Sequence, residues 1–139
     1  MTFQSLIAAG NFDHVNGDIT EERFPLPKNM VLGSDPRIFR FKDNPPLQYA
    51  QTKMAEEGYY PATFWDLLDF AAKRPEALEY EGSAIEARGT VVEIDVYLWI
   101  PAIHRDGGGR KLDLGPIAEV GANLQEERIG LYRQLAVRK

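Results

Sequence analysis

The chain has 139 residues, of which 44% are hydrophobic, 27% charged and 11% aromatic. That is one ordinary domain, 1–139, at about 100–200 residues per domain, and the balance argues against disorder, collagen or coiled coil as readings of the whole. Cysteine is absent, which excludes a disulfide, a thiolate metal site and a catalytic thiol together, and the net charge is −5.

The charge is unevenly placed. Glu76 to Asp95 holds six acids against Arg88 alone, whereas Val96 to Lys139 is mildly basic. A nucleic-acid partner is disfavoured, because its dense basic footprint is missing. The opening Met-Thr-Phe-Gln-Ser-Leu-Ile lacks a basic leader. No stretch approaches the ~18 apolar residues of a membrane span, so a soluble, cytoplasmic protein without membrane contact is expected.

Residues 1–36 read as an irregular N-terminal wrap over an α+β core at 37–139. Gly10-Asn11, Asn16-Gly17, Pro25-Leu26-Pro27 and Ser34-Asp35-Pro36 are recurrent turn signals. Phe3, Leu6 and Ile7 at helical spacing predict a short helix over Thr2–Ala9. Alternation in Arg37–Lys42 then predicts a strand with Phe39 and Phe41 inward.

Two helices follow. Asn44-Pro45 predicts a cap and first turn, Leu47, Ala50 and Met54 continue one face, and Gly58 supplies the left-handed stop. The second has Thr63 as cap with Asp66 three residues on. Phe64, Leu67, Leu68 and Ala71 form its buried face, and Pro75 ends it.

The second half reads as β. Thr90–Ile100 alternates as one long strand, with Val92, Ile94, Val96, Leu98 and Ile100 inward and Glu93, Asp95, Tyr97 and Trp99 outward. Pro101 is expected to end its pairing or mark an edge. Asp106-Gly107-Gly108-Gly109-Arg110 predicts a hairpin tip, Lys111–Leu114 a returning strand, and Leu131–Arg138 a final strand that must pair well upstream.

The run Pro46-Leu-Gln-Tyr-Ala, with Glu57-Gly-Tyr-Tyr-Pro-Ala-Thr-Phe-Trp-Asp-Leu-Leu-Asp-Phe-Ala-Ala-Lys73, resembles the helix, Pro-Thr turn and helix of formylglycine-generating-enzyme-like and related C-type-lectin-like domains. Gly130-Leu-Tyr-Arg-Gln-Leu-Ala-Val-Arg138 resembles their closing strand. The resemblance implies two adjacent helices packed on a twisted, mainly antiparallel sheet, with variable loops displayed for recognition. The chain departs from the family's chemistry. It lacks the oxidases' paired cysteines, the lectins' calcium triplets and the three histidines of the iron-dependent sulfoxide synthases, having only His14 and His104.

Among candidate sites, His104 and Asp106 beside the triple glycine offer acid–base chemistry near neutral pH. Glu93 and Asp95, two residues apart on one predicted face, offer oxygen ligands to a hard cation, as do Asp13, Asn16, Asp18 and Glu21 around Gly17. Outward Tyr97 and Trp99 are the residue types enriched at binding surfaces, and Arg105 and Arg110 flank them on the hairpin. The resulting reading is a non-catalytic module recognising a protein or a small polar ligand, with no cofactor. Two alternatives stand beside it: a small hydrolase- or lyase-like enzyme using His104 with Asp106 or Glu93, and an assembly component of a phage or mobile element, self-associating through an edge strand.

Overall fold

A computed structural model of the chain describes residues 2–41, 47–78, 84–117 and 132–139. The described residues form an α+β fold of three helices and an open, mixed sheet of eight strands. The helices are α1 (Phe3–Ala9), α2 (Leu47–Glu56) and α3 (Phe64–Lys73), with a 3₁₀ turn at Pro75–Leu78. The strands are β1 (His14–Val15), β2 (Ser34–Phe41), β3 (Tyr60–Pro61), β4 (Ile85–Glu86), β5 (Val92–Ile94), β6 (Tyr97–Asp106), β7 (Gly109–Pro116) and β8 (Tyr132–Arg138). No described helix is long and apolar enough to cross a membrane. Lys42, the expected cap at Asn44-Pro45 and Leu131 lie outside the described residues.

The main path of the sheet runs β1-β7-β6-β4-β8-β2, with β3 on β8 and β5 on β6. Strand β8 does pair upstream. It is antiparallel to β2 and β3 and parallel to β4, and Arg133 to Val137 are all buried. Burial on both faces explains why its sequence holds no clean apolar–polar alternation.

The helices form where their caps dictate. Thr2 and Ser5 cap α1 reciprocally, and Thr63 and Asp66 do the same for α3. Asp66 is buried, yet its carboxylate is fully engaged: it accepts from Thr63 N (2.9 Å), Thr63 Oγ1 (3.0 Å) and Gly33 N (2.8 Å). One cap therefore also fixes where the N-terminal wrap enters β2. Helix α2 stops at Gly58 (φ 79°), where the Tyr59 N–H reaches back to the Met54 carbonyl at 2.9 Å, closing the last turn in a geometry a Cβ would strain.

Adjacency in sequence does not put the two helices on one face. Helix α3 joins Ile85, Ile103, Leu112, Leu135 and the wrap residues Phe3, Ile19 and Phe24 in the main core. Met54 of α2 packs with Phe39, Tyr59 and Ala136 in a second cluster. Leu135 and Ala136 are consecutive on β8, so these clusters lie on opposite faces of the sheet. Strand β3, running along the edge of β8, carries the chain from one face to the other.

Two strand expectations are corrected. Thr90–Ile100 is a hairpin: Asp95 (φ 51°) and Val96 (φ 65°) form a two-residue turn between β5 and β6. Both positive φ values match the type I′ turn, which favours Asn-Gly, so the sequence carries no ordinary turn signal there. Pro101 lies inside β6. Its carbonyl points to Ala87 N (2.9 Å), away from β7, on the edge where β6 passes from pairing β5 to pairing β4. The register places Pro101 opposite Ala87 at the end of the β4–β6 ladder, where it accepts that one bond and, having no N–H, returns none.

Asp66→Ala is expected to lower stability by about 2 kcal/mol, through loss of the cap and an unsatisfied Gly33 N–H, read by urea denaturation. Val96→Gly is expected to raise it by about 0.5–1 kcal/mol, because relief of the left-handed valine outweighs glycine's backbone entropy. An unchanged or lower melting temperature for Val96→Gly would show that the turn is not strained.

Candidate functional site

The β6–β7 hairpin divides the candidate residues between two concavities, one on each face of the sheet. Register fixes the division: Trp99, Pro101 and Ile103 pair with Pro116, Leu114 and Leu112, while Ala102 and His104 pair with Asp113 and Lys111. Tyr97 and Trp99 therefore share a face with the main core, which corrects their expected outward placement. The two-residue turn at Asp95-Val96 is the cause. It brings Ile94 opposite Tyr97 and Val92 opposite Trp99, so the inward residues of β5 lie beside the odd-numbered residues of β6.

On this first face β6 continues past the part of the sheet that α3 covers. Trp99 is half-buried against the core and Tyr97 is 67% exposed. Together with Ile94 and Leu114 they wall a pocket of about 260 Å³, whose polar groups are Asn16, Asp18 and Asp95. The buried Trp99 Nε1 has no hydrogen-bond partner among the described residues. Asn16 and Asp18 arrive because β1 adds in parallel to β7, and an Asx turn then forms, with Asp18 N donating to Asn16 Oδ1 at 2.8 Å. Asp18 also meets Arg23 at 3.3 Å in an exposed pair.

On the second face a cavity of about 320 Å³ has Ala84, Ala102 and Gly115 as its small walls and His104, Arg105, Asp106 and Asp113 as its titratable groups. His104 Nε2 lies 3.5 Å from Asp113 Oδ2, a loose contact. The expected partners of His104 are engaged otherwise: Asp106 shares the cavity but is bonded to other groups, and Glu93 lies on another strand. Asp106 bonds Lys111 Nζ and Gly108 N, both at 2.8 Å, and Glu93 lies on β5 opposite Leu98. Lys111 first, then the Gly108 N–H, hold the Asp106 carboxyl below the usual carboxylate range. Partial burial pushes the Asp113 carboxyl up, but donors from Asn16 Nδ2 (2.8 Å), Leu114 N (2.8 Å) and His104 outweigh it and leave it lowered. The cavity offers a histidine with an orienting carboxylate. Its described lining has no hydroxyl to serve as nucleophile.

Asp113 was readable only through the hairpin register. A two-residue turn at Gly107-Gly108 sets Asp106 opposite Gly109, and counting back places Asp113 diagonally from His104.

The remaining candidates serve the fold or stand apart. Arg110 donates to the carbonyls of Gly10 (2.8 Å), Ala71 (3.2 Å) and Pro75 (3.2 Å), so its guanidinium ties the ends of α1 and α3 to the hairpin. Burial lowers its pKa, and it remains charged at neutral pH. Asp13 Oδ2 accepts from Arg110 N at 2.8 Å, and Glu21 is exposed, as is Arg105, which lines the second cavity. Asp95 sits in the turn, separated in role from Glu93. Among the described residues no three His, Asp or Glu side chains converge to hold a metal.

The lowered Asp113 carboxyl has a defined stability signature. Its native pKa lies below the value of about 3.9 in the unfolded chain, so its contribution is present above that value and is lost as pH falls through the native one. Acidification from about pH 5 to about pH 3 is expected to lower the wild-type melting temperature more than that of Asp113→Asn. Parallel curves for the two proteins would remove Asp113 as a source of acid sensitivity.

No protein-family model, curated protein or solved structure matches the chain.

Proposed function

We propose that the protein is a non-catalytic recognition module built on a C-type-lectin-like scaffold, and that it binds a small ligand or a partner's side chain in the pocket of Ile94, Tyr97, Trp99 and Leu114. Support for the scaffold comes from β8 pairing antiparallel with β2, with α2 and α3 lying between them in sequence. The observation that carries the function is the pocket itself, an apolar concavity with a few convergent polar groups.

Two features of its margin point the same way. Val96, at the turn that bounds the pocket, is 84% exposed and held at positive φ, an arrangement that costs backbone energy and recovers none by burial. Trp99, which lines the pocket, carries a buried indole N–H without an acceptor among the described residues, at a cost of about 1–3 kcal/mol.

A second reading draws on the other face. The His104–Asp113 contact inside a cavity suits an acid–base enzyme in which Asp113 takes the orienting part first expected of Asp106 or Glu93. One experiment separates the two. In amide-shift mapping of a fragment library, recognition at the aromatic pocket predicts hits clustered on Ile94, Tyr97, Trp99 and Leu114 and abolished by Trp99→Ala. Clustering on Ala102, His104 and Gly115 would favour the enzyme, and hits at neither place would overturn both.

A further inference from the structure

We infer that the pocket between β5, β6 and the Asn16–Asp18 turn takes an alkylammonium group, its aliphatic part against Ile94 and Leu114 and its cation among Tyr97, Trp99 and the Asp95 and Asp18 carboxylates. This rests on the reading of that pocket as the recognition site.

The lining selects the charge. Two carboxylates and one amide are its polar groups, and neither lysine nor arginine is among its described lining residues. Asp95 makes no hydrogen bond or ion pair with other described residues. Asp18 gives Oδ1 to Arg23, but that pair is solvent-exposed on both sides and leaves Oδ2 for another cation. An anion is repelled by both carboxylates and by the net charge of −5.

Aromatic faces select the kind of cation. Tyr97 and Trp99 attract a soft organic cation through their ring quadrupoles, while a hard metal ion needs an oxygen cage that these residues do not supply. A volume of about 260 Å³ is small among ligand pockets, so it accommodates a few carbons and a head group. Such a group comes either from a free amine or from a lysine side chain of a partner, and the chemistry at the pocket is the same.

The test is an amide-shift titration of the whole chain with n-butylammonium chloride, with n-butanol at matched ionic strength, and with Nα-acetyl-lysine-amide. Asp95→Asn is the diagnostic variant. It removes the charge and keeps the turn, because asparagine adopts positive φ at least as readily as aspartate. The expected result is shifts at Ile94, Tyr97 and the Trp99 indole. Butylammonium should bind about three-fold or more tighter than butanol, with the preference lost in Asp95→Asn and binding weakened in Tyr97→Ala.

Tighter binding of acetyl-lysine-amide than of butylammonium would identify a partner's lysine as the source, and the reverse a free amine. Equal binding of butylammonium and butanol to the wild-type protein would overturn the inference and leave the pocket as a neutral recognition site. Shifts confined to other acidic surfaces would also overturn it, and no shift with any probe would overturn the recognition reading as well.

Discussion

Strand β8 is the constraint on which the sheet depends. One edge of it holds β2, and the other holds β4 and β3 in succession, so its hydrogen bonds join parts of the chain otherwise about fifty to a hundred residues away. Its side chains serve both faces, Leu135 and Val137 toward α3 and Ala136 toward Met54 of α2. A strand that is central and covered on both sides cannot be formed early from local contacts; the loop-closure entropy must be met before the burial is gained. The small side chain of Ala136 leaves room for Phe39 and Tyr59 to meet edge to face in the same cluster, with ring centroids 5.5 Å apart.

Charged groups inside this frame act as fasteners. Asp66 and Arg110 each gather backbone groups from distant segments, the carboxylate collecting N–H donors and the guanidinium collecting carbonyls at the ends of α1 and α3. The signs agree with the helix dipole, negative at the start of α3 and positive at its end. Because each is hydrogen-bonded several ways, the desolvation cost of burial is offset. Together they bind the N-terminal wrap to α3 and to the β6–β7 hairpin, which holds Asn16 and Asp18 beside Leu114.

The aromatic pocket follows from this arrangement. Strand β6 is ten residues long and outruns the helix packed on it, so the face that is core at Ile103 opens to solvent at Tyr97. Aromatic residues placed there are half core and half surface. The second cavity arises on the opposite face of the same hairpin, where alanine and glycine leave space beside His104. Strand alternation thus gives the hairpin two chemically distinct concavities, one acidic and aromatic, where β1 and the Asp95-Val96 turn add their polar groups, the other bearing a histidine–carboxylate contact.

What the sequence determined by itself was local. The Thr63–Asp66 cap, the Gly58 stop, the Gly107-Gly108 turn and the Phe39 strand are each written in a few adjacent residues, because caps and turns are chosen by side-chain hydrogen bonds and by the freedom to adopt positive φ. Tertiary structure decided the rest. Alternation tells which residues share a face but not which face meets the helix, and an unsignalled turn at Asp95-Val96 reversed that relation for Tyr97 and Trp99. The position of Pro101, the separation of α2 from α3 across the sheet, and the meeting of His104 with Asp113 all depend on which strands lie side by side. That is settled by burial and hydrogen bonding between segments far apart in the chain, and no window of neighbouring residues contains it.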